Sequence, residues 1–195
     1  TDKEIIFTSY VKGNVTDSIE TIVPAVKHKS GIYDEKKWYT TEMMRFIGMF
    51  LCHGETSVLL KKNKSNSKYN AIYQTIITYK DTQSRVNKII DRTVMRMKPV
   101  FHNDAKVRKT KNGYTINSKQ LYMFLSQFKH KDNRRIPQFI KEKSFQDLGM
   151  MLRFLFERDD KVITKSKEFA YDLQEVILKA GRKAFISCEN DMYIV

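Results

Sequence analysis

Two stretches of the chain are apolar around a whole helical turn, and the other elements are spaced about them. Glu42–Ser57, EMMRFIGMFLCHGETS, runs with little polar interruption to His53-Gly54-Glu55. Asp147–Lys161, DLGMMLRFLFERDDK, repeats that design and closes on Glu157-Arg158-Asp159-Asp160. Apolar runs of this length predict helices over Glu42–Cys52 and Asp147–Arg158, too apolar to leave one face in water. Thr40 or Thr41 can cap the first, Ser144 can cap the second, and Gly54 is placed to stop the first. Each helix leads through a polar corner into a β-like run. Two ordinary core helices would show the same pattern. Two in one chain also fit a duplicated unit whose helices pack on each other with their polar corners at one end.

The order of elements strengthens the duplication. Val58–Leu60 and Tyr69–Tyr79 read as strands joined by a lysine-rich turn, since β-branched and aromatic residues favour strands. Asp81 or Thr82 can cap a helix over Gln83–Met97, in which Val86, Ile89, Ile90, Val94 and Met97 fall at helical spacing before Pro99. Val100–Lys109 and Tyr114–Ile116 then flank Asn112-Gly113, a hairpin signal. Ser118 caps a helix over Lys119–Phe128. Residues 41–128 therefore form an α-β-β-α-β-β-α unit. Residues 1–40, with a β-like run at Glu4–Val11, form a lead-in strap. Residues 129–145 form a linker, polar at His130–Arg135 and broken by Pro137. In residues 146–195 a brief strand at Lys161–Lys165 precedes a helix over Ser166–Ala180, stopped by Gly181. A strand pair, Ala184–Ser187 and Met192–Val195, turns at Glu189-Asn190-Asp191. The second unit thus reads α-β-(β)-α-β-β, truncated before a last helix. The expected fold is α+β, with two pseudo-symmetric units.

Composition narrows the partner. The 195 residues are 41% hydrophobic and 30% charged, as in a globular chain, and 36 Lys and Arg against 22 Asp and Glu leave a net charge of +14. Polyanions follow from that charge, with nucleic acid ahead of a membrane surface, because no apolar run is long enough to span a bilayer and no signal peptide is present. Cys52 and Cys188 are too few and too far apart for a disulfide framework or a zinc site, which fits a reducing, intracellular compartment. An opening at Thr1 rather than methionine suggests a piece of something longer. His28, His102 and His130 show no ligand spacing, and the methionines of the apolar helices read as core fillers. There is no glycine-rich phosphate loop and no recognisable nucleophile–His–acid arrangement.

These features together resemble the LAGLIDADG homing endonucleases, in the two-motif form often embedded in inteins. Phe46–Gly54 lies on the first nine-residue motif and Leu152–Asp160 on the second. Ser118–Phe128 followed by Arg135-Ile136-Pro137-Gln138-Phe139-Ile140 resembles the approach to second motifs. Ser166–Ala170 through Leu178–Gly181 resembles the helix after them, and Ile22-Val23-Pro24 with Lys29-Ser30-Gly31 the strap before first motifs. The likeness extends from Thr21 to Val195. It implies motif helices packed side by side beneath a saddle of β-strands, an acidic residue from each helix holding divalent metal, usually magnesium, and duplex DNA on the saddle.

Residue by residue, the second motif's acidic position is Asp159, and the corresponding first-motif position is His53. A neutral imidazole brings a nitrogen and no charge, whereas magnesium favours hard oxygen ligands, so metal-dependent cleavage is expected to be impaired. Glu55 is the substitute carboxylate, with Asp159 the other metal ligand. Asp160 stands where the motif usually has glycine, and Phe154 where a small residue packs. The DNA surface implied is the strands' concave face: Lys61, Lys62, Lys64 and Lys68 in the first hairpin, Lys106, Arg108, Lys109 and Lys111 in the second, and Gln74, Thr75 and Thr78 able to reach base edges. Ser57–Lys80 holds five lysines and no acid. Any one lysine run reads as a solvated turn; two in corresponding hairpins of a +14 chain favour a nucleic-acid surface, with salt-sensitive phosphate affinity. Two other functions fit: a non-catalytic nucleic-acid-binding descendant serving as a subunit or inserted domain of a larger assembly, and a maturase-like RNA cofactor. Thr1 at one end and Tyr193-Ile194-Val195 at the other do not supply the residues for protein splicing.

Overall fold

The computed structural model describes residues 21–23, 26–28, 31–33, 36–38, 40–62, 69–79, 84–98, 101, 105–129, 133–156 and 160–195. The expected strand Glu4–Val11, Lys64, Lys68, the caps Asp81 and Thr82, His102, His130 and Glu157-Arg158-Asp159 lie outside them. The fold is α+β, in two compact units, Glu20–Gln127 and Phe128–Val195.

The first unit opens with four short strands, β1 (Thr21–Val23), β2 (Val26–His28), β3 (Gly31–Tyr33) and β4 (Lys36–Trp38). They are nested, β2 pairing antiparallel with β3 and β1 with β4. Helix α1 (Thr40–His53) follows; its Met43, Met44, Phe46, Ile47, Met49 and Phe50 are fully buried, while Thr41 is exposed and Glu42, Arg45 and Cys52 are half-buried. The helix begins early enough to take in Thr40 and Thr41, which are therefore not outside its first turn as caps.

β5 (Gly54–Lys62) starts directly where α1 ends. Helix α2 (Ser84–Met97) buries Val86, Ile90, Val94 and Met97 at the expected spacing and exposes Arg85, Lys88, Arg92 and Arg96. Phe101 is not in a strand, unlike the sequence expectation. Its N–H still bonds the carbonyl of Met97 at 3.0 Å, and its ring packs edge-on against Phe46 at 5.5 Å, so it belongs to the exit of α2. The strand expected from Val100 shortens to β7 (Lys106–Thr110).

With β6 (Tyr69–Thr78) and β8 (Gly113–Asn117), these strands form an antiparallel sheet ordered β5-β6-β8-β7. The β7–β8 turn is Lys111-Asn112, and Gly113 takes φ +133°, where a Cβ would lie 2.0 Å from the Ile77 carbonyl oxygen. Helix α3 (Lys119–Leu125) is capped by Ser118, which accepts from Leu121 N–H at 3.2 Å, and continues as a 3₁₀ turn to Phe128. It lies on β6, with Tyr122 and Tyr73 ring centroids 5.1 Å apart.

In the second unit, a short helix α4 (Gln138–Lys141) follows Pro137. Helix α5 (Phe145–Leu155) has the expected cap: Ser144 accepts from Asp147 N–H at 3.2 Å and donates to the Asp147 carboxylate at 2.7 Å. It stops at Leu155 rather than Arg158, because Phe156 leaves helical geometry at φ −106°, ψ 24°. After β9 (Ile163–Thr164), helix α6 (Lys167–Lys179) is capped by Ser166 and ends in a Schellman motif. Gly181 at φ +74° bonds Leu178, and Arg182 bonds Ile177. β10 (Ser187–Glu189) and β11 (Met192–Ile194) turn through Asn190 and Asp191, both at positive φ, the mirror-image turn that suits a hairpin's twist. The sheet order is β10-β11-β9. β9 therefore occupies the place β6 holds in the first sheet, and among the described residues nothing corresponds to β5. Lys141 of α4 ties this unit together, reaching Asp172 at 2.9 Å and Glu175 at 2.8 Å on α6, while Asp172 also accepts from Ile136 N–H at 2.7 Å.

Candidate nucleic-acid interface

Strand alternation divides the four-stranded sheet into two faces, since partners across an antiparallel pair point the same way. Tyr73, Thr75 and Ile77 of β6 share one face with Tyr114 and Ile116 of β8, and here this face is packed by helices: Ile77 and Ile116 are fully buried and Tyr114 nearly so, whereas Val58, Leu60 and Tyr69 of the same parity are exposed. The opposite face carries Glu55, Ser57, Leu59 and Lys61 of β5, Asn70, Ile72, Gln74, Ile76 and Thr78 of β6, Thr115 and Asn117 of β8, and Lys106, Arg108 and Thr110 of β7. All of these are exposed or half-buried.

The expected contact residues fall on both faces. Lys61, Lys106, Arg108, Gln74 and Thr78 lie on the open one, and Lys111 is exposed in the β7–β8 turn. Thr75 lies on the helix-packed face, fully buried, where it cannot meet a partner, so it is removed from the expected surface. Lys62 and Lys109 share that second parity. Lys109 is engaged there: its Nζ is 2.8 Å from the Asp91 carboxylate of α2.

Asp91 also accepts from the hydroxyls of Tyr79 and, at 2.9 Å, Tyr114. Burial pushes the Asp91 carboxyl up, but the hydrogen bonds from Lys109, Tyr79 and Tyr114 outweigh it and hold its pKa below the usual carboxylate value. Burial first, then the bond to Asp91, pushes both tyrosines up. The cluster fastens α2 to the second hairpin through Lys109 and Tyr114. Asp91→Ala should remove the acceptor shared by Lys109, Tyr79 and Tyr114 and cost about 1–3 kcal/mol at neutral pH. Because the folded pKa is depressed, Asp91's contribution is present above its unfolded value and is lost as pH falls through the folded one. Urea titrations of both proteins at pH 7 and pH 3 should show the gap closing in acid. A gap unchanged at pH 3 would reject the ionised network.

The polar residues Ser57, Asn70, Thr110, Thr115 and Asn117 of the open face lie outside the sequence expectation. The alternation of Tyr114 and Ile116 with Thr115 and Asn117 carries the signal, but only once Tyr114 and Ile116 are known to face the core. With Gln74 and Lys106, Ser57, Thr115 and Asn117 form a polar field. Ser57, Gln74, Asn117 and Lys106 pair in succession across all four strands. Gln74 Nε2 donates to Asn117 Oδ1 at 3.0 Å.

At one end of the sheet, His53 is the last residue of α1 and half-buried, and Glu55 stands exposed on the open face. Gly54 between them is tightly constrained. A Cβ there would lie 2.2 Å from Phe50 Cδ2, 2.7 Å from the Phe50 carbonyl oxygen and 2.9 Å from its Cα. The strand can start against the last helical turn only because position 54 has no side chain. Gly54→Ala should therefore destabilise the unit by about 1–3 kcal/mol through overpacking. An unchanged urea midpoint would show that the junction can relax.

As a metal site this corner offers one carboxylate and one imidazole, and no cluster of three or more His, Cys, Asp or Glu occurs among the described residues. That donor set does not match a hard cation that favours several oxygens. In the second unit a mostly apolar groove of about 700 Å³ lies between Leu152, Phe156, Ile177, Ile186 and Ile194. No described helix is long and apolar enough to cross a membrane.

The helix, hairpin, helix, hairpin, helix order of the first unit, with its sheet open on one side, has counterparts among solved structures. Among solved structures the chain is similar to I-DmoI in complex with DNA and calcium (TM-score 0.54, 15% identity, covering 80% of this chain and 81% of that one). It is similar also to I-DmoI with DNA and manganese (0.53, 14%, 80% and 88%). Mesophilic variants of the homing endonuclease I-DmoI compare at 0.52 and 14%, covering 80% and 87%. At these identities the likeness is one of fold. No family model and no curated protein matches the chain in sequence.

Proposed function

We propose that this protein binds duplex DNA on the open face of the β5-β6-β8-β7 sheet, as a homing-endonuclease-type domain whose metal-dependent cleavage is weakened by His53. The observation that carries this reading is the segregation of side chains: Lys61, Lys106 and Arg108 share one face with Gln74, Thr115 and Asn117, while Thr75, Ile77, Tyr114 and Ile116 of the other face are buried. Cations on the rim suit phosphates, and short polar side chains on alternate strand positions suit base edges. The net charge of +14 supports a polyanionic partner, and the fold shared with DNA-bound I-DmoI supports duplex DNA as that partner.

His53 supplies no charge to help hold magnesium, which is the weakening proposed here, and Asp159, the acidic position of the second motif, is the carboxylate proposed to matter where cleavage persists. Fluorescence anisotropy with a labelled duplex across a salt series tests binding. A linear fall of log affinity with log salt is expected. Absence of binding in low salt would end the DNA reading. A parallel nicking assay in magnesium and in manganese is expected to show weak cutting or none, and strong cutting would remove the proposed impairment.

A further inference from the structure

We infer that the outer face of α2 is a second phosphate-binding surface, by which one chain holds two duplex segments at once. This rests on the duplex-binding reading and adds a second DNA segment as partner. The helix carries Arg85, Lys88, Arg92 and Arg96 against a single acid, Asp91. That acid is turned to Lys109, Tyr79 and Tyr114 and leaves the outer face without negative charge.

Arg85, Lys88 and Arg92 are exposed and follow one another at helical spacing, on the side opposite the buried Val86, Ile90, Val94 and Met97. Among the described residues no ion pair engages these three cations, whereas Arg96, next in the stripe, reaches Glu42 at 3.2 Å. From Arg85 to Arg92 the stripe runs roughly 10 Å, at about 1.5 Å per residue. Three phosphate steps of one strand cover about the same length, at roughly 3.4 Å each along the duplex axis.

The two basic surfaces lie on opposite sides of the unit. Asp91 ties α2 to Tyr114 on the packed side of the sheet, so the outer face of α2 points away from Lys61, Lys106 and Arg108. A duplex seated on the sheet stays nearly straight over a site of this size, because its persistence length is about 150 base pairs, and does not reach round to α2. The occupant of α2 is therefore a second segment. A DNA molecule already held on the sheet supplies one at raised local concentration, since its distant stretches are tethered to the same protein. An acidic protein has no such advantage. With three cations and no row of polar strand side chains beside them, α2 is the weaker of the two surfaces.

The test uses the full chain in low salt, a biotinylated duplex on beads and a fluorescent duplex of the same sequence in solution. Wild type should capture the fluorescent duplex on the beads, and light scattering should find one chain for each pair of duplexes. Reversing Arg85, Lys88 and Arg92 to glutamate together should lower capture about tenfold or more, while single-duplex affinity, read by anisotropy, changes less than about threefold. Glutamine at the same three positions should lower capture by a smaller factor, because charge alone is removed. Two chains in each bridged pair would assign the bridging to self-association and overturn the inference. So would wild type that binds one duplex and captures no second, or capture untouched by the reversals; each leaves the DNA-binding reading standing. No duplex binding at low salt would instead remove that reading, and this inference with it.

Discussion

Reversing Lys61, Lys106 and Arg108 to glutamate together is expected to lower duplex affinity by about a hundredfold or more and to flatten its salt dependence. Each cation removed from a phosphate loses about 1 kcal/mol even at the dielectric of water, and reversal adds a repulsion of similar size. Three such changes exceed the roughly 2.7 kcal/mol that a hundredfold requires. The salt slope should fall by roughly 0.9 for each phosphate that is no longer neutralised, uniformly across sequences. All three residues lie on the open face of one sheet. Arg85, Lys88 and Arg92, exposed on α2, provide the matched control. Their reversal changes the net charge comparably but not the charge of that face, and should leave most of the affinity intact. Equal losses in both variants would mean that net charge, not this surface, binds DNA.

His53→Asp is expected to raise magnesium-dependent cleavage of a bound duplex by about tenfold or more, a change of about 1.4 kcal/mol in barrier. The substitution exchanges a neutral nitrogen donor for a charged hard-oxygen donor at the end of α1, beside a corner where Glu55 is an exposed carboxylate. Asp159→Asn in that background should remove the gain while leaving duplex affinity in place. Two outcomes bear against the site. Strong wild-type cutting that survives Asp159→Asn would show that chemistry resides elsewhere. A His53→Asp protein that binds and never cuts would mean that more than one residue separates this chain from a nuclease, and would favour the purely DNA-binding alternative.

Features governed by a few adjacent residues are legible in the amino-acid sequence. Ser118 and Ser144 each cap the helix expected of them, because a cap is a bond between a side chain and an N–H three residues on, and Ser166, expected as the first residue of its helix, is its cap. Gly181 ends α6 for an equally local reason. The difference at the end of α5 has the opposite origin. Phe156-Glu157-Arg158 continues a plausible helical sequence, and helix ends are decided by competition with the next segment rather than by propensity. Phe101 reads as a strand residue because its neighbours are β-like, whereas its ring is fixed by Phe46, fifty-five positions earlier.

The candidate surface divides along the same line. Residues 58–60, 69–78, 106–109 and 114–116 are recognisable from their own sequence as strands flanked by lysine-rich and Asn-Gly turns, since alternation and turn chemistry are short-range, whereas 54–57 reads as a corner and only the sheet makes it strand. The two all-apolar helices and the charge that points to a polyanion are equally plain there. Which half of each strand meets that partner is a matter of tertiary packing. A shift of one residue in register exchanges the faces, and register here depends on β6 pairing with β8 and on the helices covering Tyr114 and Ile116. That choice buried Thr75, turned Lys109 toward Asp91, and set Gln74 beside Asn117, forty-three positions away along the chain.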